Sequence, residues 1–430
     1  MAIVRIPGPF SGRMILPLLM PLLWTLPAQT QKAHPERVPS GQIESCRIHQ
    51  ITAFPGSHQF ATDFIETLAT DPDSGDRQTL WGLTADLSAA VPPQQQAMYI
   101  SRSTDGGATW TSIARIDSRY FDARIAEGLR NGLAIVPGSN EFILTTQLGA
   151  FQVIPQPDSY KPIVKPIPGP RVPDTPPKIP LTKKPGDPER ANIVALTADG
   201  QRMIIGYGYF DLEPQIFQYH RAPGGDWISD GPLPPLPTEM DLLSIDFDDP
   251  QNPNPGFLYV GTGDQAYVLN LRTNRWGIVH GVGADSAIHA MSVVNGLHIA
   301  ACWGIYNPAG PGTERRVTNA HFLLHRMSDE TGSNLRTYGI DVDPATPNRE
   351  AVASITGVYV SADSGETWRR LSDLPDGEYR SVHFNPDGTV IVSGLPGTFL
   401  VDAFSPACTP HLRVRSRLPK PDPGNPPSTP

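Results

Sequence analysis

The sequence predicts an all-β protein: a β-propeller of four-stranded blades, about seven of them, with six as the alternative. Three observations lead there. Proline and glycine supply 48 and 39 of the 430 residues, about a fifth of the chain against roughly 12% in average usage, and both penalise helix interiors. Short runs rich in Val, Ile, Tyr and Phe recur between Gly, Pro, Asp and Asn turns, the pattern of many short strands. Tryptophans recur at a matching interval. Trp227 and Trp276 are 49 residues apart and Trp276 and Trp368 are 92 apart, two steps of 46, and repeats of about 45–50 residues suit four-stranded blades.

Composition narrows the class of partner. With 39% apolar and 18% charged residues the chain is rich enough in apolar side chains to fold. A net charge of −9 with only 34 Lys and Arg excludes a nucleic-acid binder, which needs a basic surface against phosphates.

In chain order, residues 1–30 read as a signal peptide. Arg5 and Arg13 precede the apolar stretch Met14–Pro27, and Ala28-Gln29-Thr30 follows, giving the basic, greasy and small-residue parts of an export signal. Fourteen residues interrupted by Pro17 and Pro21 are too few for a membrane-spanning helix, which needs roughly 20. The expectation is a secreted or extracytoplasmic protein with no membrane span after signal removal. The propeller is expected over 43–408. An N-terminal strand around Cys46–Phe54 completes the last blade, and helical spacing is confined to places such as Gln59–Ala69. Strands follow at Ala97–Arg102, Glu141–Thr146, Gln201–Gly206, Gly256–Gly261, Ala266–Leu271, Gly357–Ser361 and Thr389–Ser393. Pro155–Pro188 holds twelve prolines in 34 residues and reads as a long loop inserted into the propeller, since the strand pattern resumes beyond it. Residues 409–430, ending in six prolines within twelve residues, read as a disordered tail.

One motif occurs twice. Ser103, Asp105, Gly107, Thr109 and Trp110 match Ser361, Asp363, Gly365, Thr367 and Trp368 in the pattern S-x-D-x-G-x-T-W, each between two strands. The carboxylate accepts nearby backbone N–H groups and the glycine permits φ > 0. Thr suits the returning strand, and Trp fills the gap between neighbouring sheets. These strings resemble the Asp-box, or BNR repeat, of sialidases, sortilin-type ectodomains, xyloglucan-degrading glycosidases and photosystem II stability factors. The resemblance implies a sialidase-like propeller superfamily in which the box closes a hairpin away from the ligand face.

For activity, the resemblance to sialidases implies an arginine cluster gripping a carboxylate, a Tyr–Glu nucleophile pair and an Asp acid. Their aromatic-Arg-Ile-Pro string has two partial echoes, Val4-Arg5-Ile6-Pro7 inside the signal and Glu36-Arg37-Val38-Pro39. Catalytic residues are therefore left unassigned. Glu314, Arg315 and Arg316 are the candidate ligand-face residues. His321 and His325 share a strand face by their even spacing but lack a third ligand, so no metal is expected, and no cofactor. Asp241, Asp246, Asp248 and Asp249 read as a turn-rich acidic segment. Cys46 and Cys408, near the two ends of the ring, are the disulfide candidates in an exported protein, with Cys302 buried and free. The expected role is a monomeric binding or scaffolding module taking a carbohydrate or protein ligand at the propeller axis. Alternatives are a sialidase-like exo-glycoside hydrolase and an assembly protein resembling the photosystem stability factors.

Overall fold

The structure, a computed structural model, describes residues 49–51, 65, 67–75, 78–86, 96–121, 132–157, 159–172, 186–208, 214–249, 251–279, 287–293, 296–301, 304–306, 320–321, 337–365, 367–405 and 413–415. Their strands form seven antiparallel sheets. Blade 1 consists of β2 (Thr67–Thr70), β3 (Leu80–Asp86), β4 (Ala97–Ser103) and β5 (Thr111–Asp117). Blade 2 follows with β6 (Leu133–Ile135), β7 (Phe142–Thr146), β8 (Gly149–Gln156) and β9 (Ser159–Pro166). Blade 3 holds β10 (Ala191–Leu196), β11 (Arg202–Tyr207), β12 (Gln215–Arg221) and β13 (Trp227–Pro232). Next come blade 4, with β14 (Leu242–Phe247), β15 (Phe257–Thr262), β16 (Ala266–Asn270) and β17 (Arg275–Ile278), and blade 5, with β18 (Ile288–Ser292), β19 (His298–Ala301), β20 (Gly304–Tyr306) and β21 (Ala320–His321). In blade 6, β22 (Thr337–Val342), β23 (Glu350–Ser354), β24 (Gly357–Ser361) and β25 (Thr367–Arg370) are joined by a fifth strand, β29 (Arg413–Arg415). Blade 7 is β26 (Tyr379–Phe384), β27 (Val390–Gly394) and β28 (Gly397–Val401), completed by β1 (His49–Ile51).

Sequence order is spatial order within blades 1 to 5, and the first strand of each blade touches the first strand of the next: β2, β6, β10, β14, β18, β22, β26 and back to β2. These seven strands line the axis. The N-terminal strand closes the circle by pairing His49 with Leu400 and Ile51 with Thr398.

Apolar burial sits between blades. Seven clusters fill seven interfaces, from Trp81, Met98 and Phe142 between blades 1 and 2 to Val358, Leu371 and Phe384 between blades 6 and 7. Ile65, Leu80 and Trp110 meet Ile391 at the closing seam. Each large side chain so buried contributes about 1.5–3 kcal/mol, so most of the fold's stability lies where blades meet. Trp110, Trp227 and Trp368, at the outer strands of blades 1, 3 and 6, all pack towards the preceding blade, and half-buried Trp276 of blade 4 does likewise. The tryptophan interval read in the sequence is thus the blade repeat. Serine stitches add to it: Ser244 donates to the Ile288 carbonyl at 3.0 Å, and Ser381 to that of Ile65 at 3.2 Å.

Three expectations are corrected. Arg413–Arg415, expected within a disordered tail, pairs with β25 as the fifth strand of blade 6. Residues 155–166 are not loop: β8 runs to Gln156, and Ser159–Pro166 pairs with it as the outer strand of blade 2. Proline is tolerated there because an edge strand has N–H positions that need no ladder partner. Residues 59–64 and 66 of the segment Gln59–Ala69, read as helical, lie outside the described residues, and its end is strand instead: Thr67–Thr70 is an axial strand paired with β3. Its Thr-rich composition favours a strand that packs on both faces. Residues 1–30, Cys46, Cys302, Cys408, Glu314, Arg315, Arg316 and His325 lie outside the described residues. Among the described residues no helix is long and apolar enough to cross a membrane.

Candidate functional site

Antiparallel order gives the ring two unlike ends. At one end stand the first-to-second strand turns and, in blades 1 to 6, the third-to-fourth turns; at the other, the second-to-third turns and the connections to the next blade.

The repeated turns stand at the first end and share one hydrogen-bond scheme. Ser103 Oγ donates to Asp105 Oδ1 at 2.7 Å and accepts the Gly107 amide at 2.8 Å. Ser361 makes the same bonds to Asp363 and Gly365, at 2.8 and 2.8 Å. Asp105 also accepts the amide and hydroxyl of Thr109. Burial opposes its charge, but the hydrogen bonds from Thr109 and Ser103 outweigh that and lower its pKa. Gly107 and Gly365 have φ of 88° and 80°. At Gly107 a Cβ would also lie 2.3 Å from Ile391 of blade 7, so glycine is required twice over. Gly106 accepts the Asn385 side-chain amide at 2.7 Å, tying this turn to blade 7. The arrangement binds the turn to its own chain and its neighbour, and Trp110 Nε1 donates to the Gly107 carbonyl at 2.9 Å.

The opposite end carries a different repeat. Five consecutive axial strands, β10, β14, β18, β22 and β26, have a register irregularity between their first and third residues. The residues set off the ladder are Asn192, Leu243, His289, Tyr338 and Arg380. Bulges of this kind at the rim of a closed sheet re-aim a side chain. His289 and Tyr338, on adjacent blades, meet edge to face with ring centroids 5.9 Å apart. Arg380 Nε donates to Glu378 at 2.8 Å, and Asn192 donates to the Gly208 carbonyl at 2.5 Å. On the neighbouring strands Tyr207 and Tyr219 share a hydroxyl contact of 2.7 Å, with burial pushing Tyr219 up to about 12 and holding Tyr207 well above its ordinary value.

Three residues further along the same strands, the ring divides. Blades 1 to 3 carry Ala69, Ala134 and Ala195, each packed with the apolar cluster shared with the next blade; blades 4 to 7 carry Asp246, Ser292, Asp341 and His383. Burial pushes the Asp246 carboxyl up to about 7, partly offset by the Phe247 amide. His383 lies 3.1 Å from Asp341 through Nδ1 and 3.2 Å from Thr70 Oγ1 through Nε2. Asp341 Oδ2 also accepts the Phe384 amide at 2.8 Å, while Oδ1 takes that of Val342 at 2.9 Å.

The acidic segment read in the sequence is not one site. Asp246, on the axial strand β14, accepts the Phe247 amide, Asp248 accepts the Gly256 and Phe257 amides, and Asp249 accepts that of Gln251. Among the described residues, no group of three His, Cys, Asp or Glu side chains is placed to hold a metal ion. Sequence reasoning missed the bulge residues and His383. The signal for them was present: Leu242–Phe247 (LLSIDF), Thr337–Val342 (TYGIDV) and Tyr379–Phe384 (YRSVHF) align as one repeat, with variable polar residues at two positions.

No protein-family model matches the chain, and no curated protein matches it. Among solved structures it is similar to the extracellular domain of a hybrid two-component system from B. thetaiotaomicron, at 12% identity over 82% of this chain and 39% of that one, with TM-score 0.48. It is also similar to YCF48 bound to a D1 peptide, at 14% identity, 84% and 96% coverage and TM-score 0.48. The Swd1 β-propeller domain of Myceliophteria thermophila gives 10%, 79%, 95% and 0.49. The chain spans about two fifths of the length of the first of these.

Proposed function

We propose that this is an exported Asp-box propeller that binds a protein or carbohydrate ligand over the bulged end of its axis. The observation carrying this reading is the recurrence of the bulge in five successive axial strands. A bulge forfeits ladder pairing, and five at one level set partly exposed Leu243, His289 and Arg380 beside buried Asn192 and Tyr338. Mixed apolar, aromatic and hydrogen-bonding groups suit recognition. The three-arginine grip of a sialidase is a poor match: among the described axial-strand residues the one arginine is Arg380, already paired with Glu378. A second reading, sialidase-like hydrolysis, draws support from Asp246, whose raised pKa suits a general acid near neutral pH.

The test is labelled protein on glycan and peptide arrays, alongside a fluorogenic sialoside and a panel of β-glucans. Saturable binding on one array, weakened about tenfold or more by Arg380→Ala or His289→Ala, is expected, with no turnover. No binding, or binding indifferent to both substitutions, would overturn the proposal. Sialoside cleavage lost in Asp246→Asn would replace it with the hydrolase reading.

A further inference from the structure

The other level of the axis carries a group of side chains that ligand binding at the bulged mouth does not use. Thr70, His383 and Asp341 come from the axial strands of blades 1, 7 and 6, and they form one hydrogen-bonded line. The Asp341 carboxylate is fixed by two backbone amides, of Val342 and Phe384. As an acceptor, it holds a proton on His383 Nδ1, 3.1 Å away. That tautomer leaves the Nε2 lone pair facing Thr70 Oγ1 at 3.2 Å. A hydroxyl, an imidazole and a carboxylate so linked are the arrangement of a nucleophile, its base and the group that orients the base.

The hydroxyl-bearing residue is not sealed in the core: Thr70 and Asp341 are partly exposed, while His383 is buried.

We propose that Thr70 is a nucleophile for hydrolysis of short-chain carboxylic esters, with His383 as its general base and Asp341 as a positioning residue. Thr70 Oγ1 attacks the ester carbonyl carbon as His383 Nε2 takes its proton. The C–O bond to the alcohol breaks, and His383 returns the proton to the departing oxygen. Water then adds to the acyl-threonine ester with His383 again taking a proton. Collapse releases the carboxylic acid and restores Thr70, so the sum is ester plus water giving acid plus alcohol. No oxidant, reductant or metal enters. A single hydroxyl–imidazole contact asks most of the leaving group, which makes activated and short acyl esters the substrate class.

The experiment is turnover of p-nitrophenyl acetate and butyrate by the intact protein, with Thr70→Ala, Thr70→Ser and Asp341→Asn. A fluorophosphonate probe followed by peptide mass mapping reads the nucleophile. Expected are loss of turnover to the buffer rate in Thr70→Ala, retention within about tenfold in Thr70→Ser, and a phosphonyl adduct on the Thr70 peptide. Asp341→Asn should cut the rate about 100-fold or more and alter the pH–rate profile, as removal of the orienting carboxylate does in triads. Thr70 is partly exposed, so both of its variants should keep the thermal midpoint of the parent. Turnover surviving Thr70→Ala in folded protein would overturn the proposal. So would an absence of both turnover and adduct in the parent.

Discussion

At the scale of single residues, the axial level of β14, β22 and β26 shows how one register position takes on different chemistry in different blades. Asp246 is held in an environment that disfavours its charge, and its folded pKa of about 7 lies above the ordinary value near 3.8. The folded state therefore keeps a proton that the unfolded chain releases. Stability should fall as pH rises from about 4 to about 7, and the loss should be complete above that window. Asp246→Asn keeps the shape and removes the charge, so it should flatten this dependence and raise the thermal midpoint at pH 8 more than at pH 5. Thermal unfolding at the two pH values checks it; equal shifts would mean that the carboxyl is not held neutral.

At the scale of elements, the third-to-fourth strand turn of blade 1 stands on its own hydrogen bonds and on its neighbour. Asp105→Ala removes acceptors for two backbone or hydroxyl donors and for Ser103. Asp105 is exposed, so the cost is modest, about 1 kcal/mol. Because its folded pKa is lowered, the contribution is complete above the ordinary carboxylate range and is lost as pH falls through the folded value. Urea unfolding at pH 7 and pH 3 should show the parent and variant diverging at the higher pH and converging at the lower. These turns were legible in the sequence because Ser, Asp, Gly and Trp at fixed offsets encode local bonds, needing no partner from elsewhere. The short apolar runs of β11, β15 and β27, bounded by polar and glycine residues, were legible for the same reason. Ser159–Pro166 was not, since an outer edge strand tolerates prolines that elsewhere mark a loop. The bulge residues were hidden for another cause. The axial repeat aligns their positions, but their identities vary between blades, and it is the register of each axial strand against its neighbour that shows them set off the ladder.

At the scale of the whole ring, stability is shared among seven interfaces, and the last depends on a strand from the far end of the sequence. β1 covers β28, and Ile65 is held between Ser393, which accepts its amide at 2.6 Å, and Ser381, which donates to its carbonyl. The tryptophan interval could reveal the number of steps, but which strands meet at the seam follows from pairing over some 350 positions. Such closure makes the two axial ends possible, because each level of seven side chains exists only when blade 7 meets blade 1. Amide hydrogen exchange on the intact protein and on a variant beginning at residue 52 tests this most directly. The closed seven-bladed ring predicts that removing β1 strips protection from β28 and lowers the midpoint of the entire molecule in one transition. Unchanged protection in β26 to β28, with an unchanged midpoint, would contradict it.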